Sequence, residues 1–138
     1  MSNVLLRNRS VSELEFWKNG SDIRAVVTQF LMRENNVPKR WRPVFTFPGI
    51  DLARRLMEEI TAANTIYPTT EQEVEQRRAH QTEAIIVCEQ IIQHLQWLVD
   101  TLPVKVSSLA DIVEMINREI ALLKAWRKTS KVLTHKRD

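Results

Sequence analysis

Glycine is scarce in this chain: Gly20 and Gly49 are the only two among 138 residues. Average usage of about 7% would give roughly ten. Phosphate-binding loops, Rossmann turns and tight β-hairpins need glycine, because their backbone takes positive φ or approaches a partner closely. Two isolated glycines therefore disfavour most nucleotide-binding enzymes and most all-β folds.

Cysteine and long apolar runs are also lacking. Cys88 is the single cysteine, which excludes an internal disulfide and a multi-cysteine metal site. No apolar stretch approaches the ~20 residues of a membrane span. The first ten residues, MSNVLLRNRS, are too short and too polar for a secretory signal. These features predict a cytoplasmic protein that does not associate with a membrane.

Helical periodicity dominates the rest of the chain. Apolar residues recur at steps of three and four in four segments, and no segment alternates with period two. Capping-box spacings, Ser12 with Glu15 and Thr70 with Glu73, mark the starts of the first and third helices. The predicted helices cover about residues 12–36, 48–66, 70–102 and 108–131. An irregular proline-rich stretch at 37–49 lies between the first two.

Amphipathic helices joined by short connections predict an all-α fold, an antiparallel up-down-up-down four-helix bundle. We expect residues 1–138 to form one domain, with an N-terminal extension at 1–11 and a basic tail at 132–138. Gly20 lies inside the first helical pattern. There we expect a kink, a break or the close approach of two helices.

The third helix carries the longest apolar seam, with alternating steps of four and three from Val74 to Leu102. Arg78 and Gln81 occupy seam positions where a dry core would have leucine. Two interpretations are open. This end of the helix is wet or meets a partner, or it is a solvated helix end whose long side chains reach water.

Side chains with catalytic or metal-binding chemistry are few and poorly arranged. His80 and His94 are 14 residues apart, so they cannot share one metal ion, and no Glu-x-x-His pair of the di-iron type accompanies them. Cys88 lies on the apolar seam, with no lysine or arginine one turn away to lower its pKa. We therefore predict no metal, no cofactor and no catalytic residue in a protein that is not an enzyme.

Positive charge is small in total, a net +3, but unevenly distributed. Six basic residues and no acid occur between Lys124 and Arg137. Basic side chains also cluster in the proline-rich stretch and on the second and third helices. The candidate nucleic-acid-binding residues are Lys39, Arg40, Arg42, Arg54, Arg55, Arg77, Arg78, Lys124, Arg127, Lys128 and Lys131.

The basic stripe at 124–131, with Trp126 beside it, is typical of contact with a nucleic-acid backbone, and bases also stack on exposed aromatics. Two other interpretations are open: a solvated face that pairs with the helix dipole, or a surface for an acidic protein partner.

Of the four tryptophans, Trp41 is expected to be the most exposed, because loops run over the surface.

Three strings suggest a family: ANTIYPTTEQE at 63–73, RRAHQTEAI at 77–85 and NREIALLKAWRK at 117–128. They resemble the small four-helix-bundle proteins encoded beside bacterial reverse transcriptases, the accessory variability determinant (Avd) proteins of diversity-generating retroelements. The likeness covers about residues 12–131. Proteins encoded in ribosomal-RNA intervening sequences are a second similar group, although their N-I-A-E-G-like string does not occur here.

The Avd resemblance implies a homopentamer that binds a partner reverse transcriptase and RNA or DNA. It also implies that the protein supports cDNA synthesis in mutagenic retrohoming and is not itself the polymerase. The alternative is an oligomeric protein–protein interaction module whose basic stripe meets an acidic partner.

Overall fold

A computed structural model describes residues 14–133, in which four α-helices pack as a bundle and no strand occurs. The all-helical prediction is therefore confirmed for this part of the chain. The Ser12 cap, the extension at 1–11 and residues 134–138 of the predicted basic tail lie outside the described residues. The helices are α1 (Glu15–Met32), α2 (Phe47–Thr65), α3 (Glu71–Thr101) and α4 (Ala110–Lys128).

α2 and α3 have nearly the predicted bounds, because strong local signals mark their starts. Thr70 Oγ1 accepts a hydrogen bond from the Glu73 backbone N–H, and Glu73 Oε1 accepts one from the Thr70 N–H. Hydrogen bonds from Thr69 and Thr70 also hold the pKa of the Glu73 carboxyl below its ordinary value. Pro48 lies in the first turn of α2, where a missing N–H costs no intrahelical hydrogen bond.

Three predicted boundaries were wrong. α1 ends at Met32, because residue 33 is extended and Asn36 Nδ2 donates to the Phe30 carbonyl to close a turn. α4 ends at Lys128 and begins after a 3₁₀ turn, Val106–Leu109, in which the Ser108 hydroxyl bonds the Lys105 carbonyl instead of capping the helix.

The stretch at 37–49 is helical over most of its length, not irregular as predicted. It contains a 3₁₀ turn, Lys39–Trp41, and a π-helical turn, Arg42–Thr46, before α2 begins. Its second and third prolines lie in the first turns of helical segments, where their fixed φ suits the helix. The three prolines therefore redirect the chain without preventing helix formation.

One hydrophobic cluster draws buried side chains from all four helices. Each helix packs against two others: α1 and α3 both contact α2 and α4. α1 continues unbroken through Gly20, where a Cβ atom would lie 3.0 Å from Met57 Sδ and 3.1 Å from Ile60 Cδ1. The expected close approach of two helices at Gly20 is confirmed, whereas the helix does not break there.

Glu119 of α4 is the one acid that is fully buried within residues 14–133. Asn19 Nδ2 donates to its Oε1 at 3.0 Å, and its Oε2 has no hydrogen-bond partner among those residues. Burial raises the pKa of Glu119 to about 8, partly offset by the Asn19 hydrogen bond. Glu119 is therefore largely protonated at neutral pH, because the uncharged form costs less to keep away from water.

Stability should consequently fall as pH rises from about 5 to about 8, by at most about 1.4 kcal/mol per pH unit. The unfolded carboxyl loses its proton near 4.5, whereas the folded one keeps it up to about 8. Glu119→Gln should remove this slope and be more stable than the wild type at the upper end. Urea unfolding measured across this range tests it.

The matched control for this series is Glu114→Gln, an exposed acid on the same helix, which should keep the wild-type slope. Equal slopes for Glu119→Gln and the wild type would contradict the assignment of the raised pKa to Glu119.

Candidate nucleic-acid interface

The first turns of α3 and the last turns of α4 lie side by side and form an open groove of about 650 Å³. Four of its five lining side chains are cations and none is an acid. Lys124, Arg127 and Lys128 lie on one side of α4, because the last two follow Lys124 by three and four residues, about one helical turn. We call this surface the basic groove; it is lined by Arg78, Thr82, Lys124, Arg127 and Lys128.

Hydrogen bonds hold both guanidinium groups of the basic groove. Arg78 Nη2 donates to the Ser130 carbonyl at 2.8 Å. Arg127 Nη1 donates to Thr82 Oγ1 at 3.1 Å. Both acceptors are uncharged, and no cation of the groove forms a salt bridge with any other described residue. The groove therefore presents unneutralised positive charge on partly fixed donors.

Gln81 positions the chain that follows α4. It is fully buried, and its Oε1 accepts a hydrogen bond from Ser130 Oγ at 3.1 Å. The Leu133 N–H donates to the Pro68 carbonyl at 2.8 Å, which holds the next residues beside the α2–α3 connection. The two polar seam residues therefore differ: Gln81 is buried and its amide oxygen links the end of α4 to α3, whereas Arg78 is exposed in the basic groove.

Trp126 is packed between helices and is not a free platform. Phe16 stacks on its indole with ring centroids 3.9 Å apart and planes 12° apart. The Arg77 guanidinium carbon lies 5.2 Å from the Trp126 ring centroid. Burial lowers the pKa of Arg77, although a guanidinium stays charged at neutral pH. Base stacking on Trp126, suggested by the sequence, is thus impeded, and Arg77 adds a cation next to the basic groove.

The paired arginines of α2 are placed differently. Arg54 donates hydrogen bonds to Asp51 and Glu58, and these acids, Asp51 above all, raise its pKa. Its charge is therefore locally neutralised. Arg55 is half-buried on the same helix.

The remaining candidates lie on other elements. Lys39 and Arg40 are exposed on the 3₁₀ turn, and Arg42 begins the π-helical turn with its Nε buried and unpartnered among the described residues. Lys131 is exposed just beyond α4. The structure thus brings together, in and beside one groove, Arg77, Arg78, Lys124, Arg127 and Lys128.

His80, His94 and Cys88 have ordinary structural surroundings in the described part of the chain. His80 Nδ1 lies 2.7 Å from Glu59 Oε1, and His94 Nε2 donates to the Phe45 carbonyl at 2.9 Å. Burial raises the pKa of the Cys88 thiol far above its ordinary value, so it stays protonated. Across residues 14–133 no three His, Cys, Asp or Glu side chains gather closely enough to hold a metal ion. No helix in that range is long and apolar enough to cross a membrane.

Sequence reasoning missed the most exposed tryptophan. Trp41 is half-buried against the core, whereas Trp97 is 47% exposed. The available signal was the position of Trp97 on α3, off the apolar seam.

Comparison of the chain with protein-family models, with curated proteins and with solved structures gives no match.

The different surroundings of Trp126 and Trp97 predict different costs of truncation. Trp126→Ala should destabilise the fold by about 3 kcal/mol or more, because it empties the contact with Phe16 and Arg77. Trp97→Ala should cost about 1 kcal/mol, because half of that side chain already faces water. Urea unfolding of both variants measures the difference, and equal costs would contradict the structural role of Trp126.

Proposed function

We propose that this protein is a non-enzymatic accessory protein that binds the backbone of RNA or DNA through the basic groove. The observation that carries the proposal is the convergence of four cations from two helices, without an acid among the lining residues. Lysine and arginine bind phosphate oxygens irrespective of base sequence, and release of counterions drives the association. Fixed guanidinium groups at Arg78 and Arg127 lose less side-chain entropy on binding.

We propose further that the chain acts with a partner reverse transcriptase and supports cDNA synthesis in mutagenic retrohoming, as a cytoplasmic homo-oligomer with five subunits. This part rests on the resemblance to Avd proteins. Two of the three strings that carry the resemblance supply the groove: 77–85 contains its α3 residues and 117–128 its α4 residues.

We infer that the helices alternate in direction, up-down-up-down. Paired contacts support this, because residue numbers rise along one helix while they fall along its neighbour. Glu15 contacts Arg118 and Asn19 contacts the Met115 carbonyl, which relates α1 to α4. Gly20 lies against Met57 and Ile60 of α2, whereas Gly49, at the start of α2, lies against Leu31 at the end of α1.

Salt dependence tests the groove directly. Affinity for an RNA duplex of roughly 20 base pairs should fall with salt, with a log–log slope of about 0.7–0.9 per phosphate contact. Lys124→Glu with Lys128→Glu reverses two exposed charges of the groove, neither of which forms a salt bridge with another residue of 14–133. We expect at least a tenfold weaker affinity and a slope smaller by about 1.4–1.8. Fluorescence anisotropy over a salt series measures both.

The control variant for this test is Arg24→Glu with Lys105→Glu, which makes the same charge change at exposed positions outside the groove. It should retain most of the affinity and the slope. No binding by the wild type at low salt would contradict nucleic-acid binding. An acidic protein that binds the wild type and not the groove variant would then support the interaction-module alternative.

Two observations test the remaining parts of the proposal. The oligomer predicts a solution mass that is a multiple of 16.2 kDa, and light scattering that gives the monomer mass contradicts it. The polymerase partner predicts a reverse-transcriptase gene beside the gene for this chain and co-elution of the two purified proteins. A genome without such a gene contradicts it.

A further inference from the structure

A second surface lies where the end of α1, the start of α2 and the last turns of α3 meet. It exposes three large apolar side chains: Met32 is 44% exposed, Phe47 56%, and Trp97 comparably. Gly49 shows how closely the elements approach, since a Cβ there would collide with Leu31 and lie 3.1 Å from His94 Cδ2. We call Met32, Trp41, Phe47 and Trp97 the aromatic patch.

The aromatic patch stands on a fixed base. The fully buried Phe45 ring lies 4.6 Å from the Trp97 ring and 5.9 Å from the Trp41 ring. The Phe45 carbonyl accepts the hydrogen bond from His94, and the buried Thr46 hydroxyl donates to the Leu31 carbonyl at 2.8 Å. The Trp41 and Trp97 rings are therefore held against Phe45 before any partner arrives, which lowers the entropic cost of docking.

Positive charge predominates in the segment that joins α1 to α2 and contributes Trp41 to the aromatic patch. The segment at 33–46 contains four basic residues, Arg33, Lys39, Arg40 and Arg42, against the single acid Glu34. No salt bridge with another described residue neutralises these cations. Trp97 lies 15 residues beyond Thr82 on α3, or roughly 22 Å along the helix at 1.5 Å per residue. The aromatic patch is thus separate from the basic groove.

We propose that the aromatic patch docks an acidic, amphipathic segment of a partner protein. The apolar face of that segment covers Met32, Phe47 and Trp97, and its carboxylates pair with Lys39 and Arg40. Tryptophan, methionine and arginine are enriched at protein interfaces, and a few large aromatics carry most of the binding energy. The charge of the 33–46 segment selects the acidic partner.

A protein segment fits this surface better than a nucleic-acid strand. Bases stack on aromatic faces and would leave the aliphatic Met32 uncovered. An amphipathic helix places apolar side chains at steps of three and four and so covers several neighbouring side chains together. The proposal extends the proposed function, in which the chain has a protein partner, but it depends on no residue of the basic groove.

Selection from a displayed library of random peptides of about 16 residues, roughly four helical turns, tests this proposal. Peptides enriched on the wild-type protein should combine aspartate or glutamate with leucine or aromatic residues at helical spacing. A synthetic enriched peptide should bind at least about tenfold more weakly to Trp97→Ala, as expected at an interface hot spot. Lys39→Glu with Arg40→Glu, which changes two exposed side chains, should weaken it similarly.

The variant Arg24→Glu with Lys105→Glu should bind the peptide like the wild type, and Trp97→Ala should keep the affinity for duplex RNA. The proposal is overturned by any of four results: no enrichment, enriched sequences without acids, a peptide that ignores both patch variants, or single-stranded RNA that displaces the peptide. Patch variants with an altered solution mass also overturn it, since the surface would then lie between subunits. If only the groove variant loses RNA affinity, that result tests the proposed function and does not bear on peptide binding at the aromatic patch.

Discussion

The end of α4 is held against the first turns of α3 by a small set of hydrogen bonds, and the candidate interface depends on them. Ser130 donates to the buried Gln81 and accepts from Arg78. A glutamine where the seam would otherwise carry leucine thus bonds the chain just beyond α4 to α3. Its consequence is electrostatic: cations far apart in the sequence meet in one groove, so a chain with a net charge of +3 has one surface that is strongly positive.

Much of the fold could be predicted from the sequence, because its strongest signals are local. The Thr70–Glu73 capping box and the unbroken seam locate α3 within a residue at each end. The groove could not be predicted in full, since it depends on which helices become neighbours. The sequence does place Arg54 three residues from Asp51 and four from Glu58, so the neutralisation of the Arg54 charge could be predicted. The contact between Phe16 and Trp126 could not be predicted from the sequence, because it depends on the packing of α1 on α4.

The scarcity of glycine gains a structural meaning. Both glycines lie where helices approach too closely for a side chain: Gly20 faces α2 and the buried Glu119 carboxyl, and Gly49 faces Leu31 and His94. The first close approach lies beside the buried Glu119, and the second lies beside the aromatic patch. The glycine-free helix α3 separates the two surfaces along its length, so the two proposed partners would not compete for the same residues.

The central claim is that nucleic acid lies in the basic groove, and lysine footprinting tests it most directly. The protein is acylated with and without duplex RNA at low salt, and each lysine is quantified by mass spectrometry. The account predicts protection of Lys124 and Lys128 and unchanged reactivity of Lys18 and Lys105, which are exposed elsewhere. Protection of Lys105 or Lys39 with Lys124 and Lys128 unprotected would contradict it.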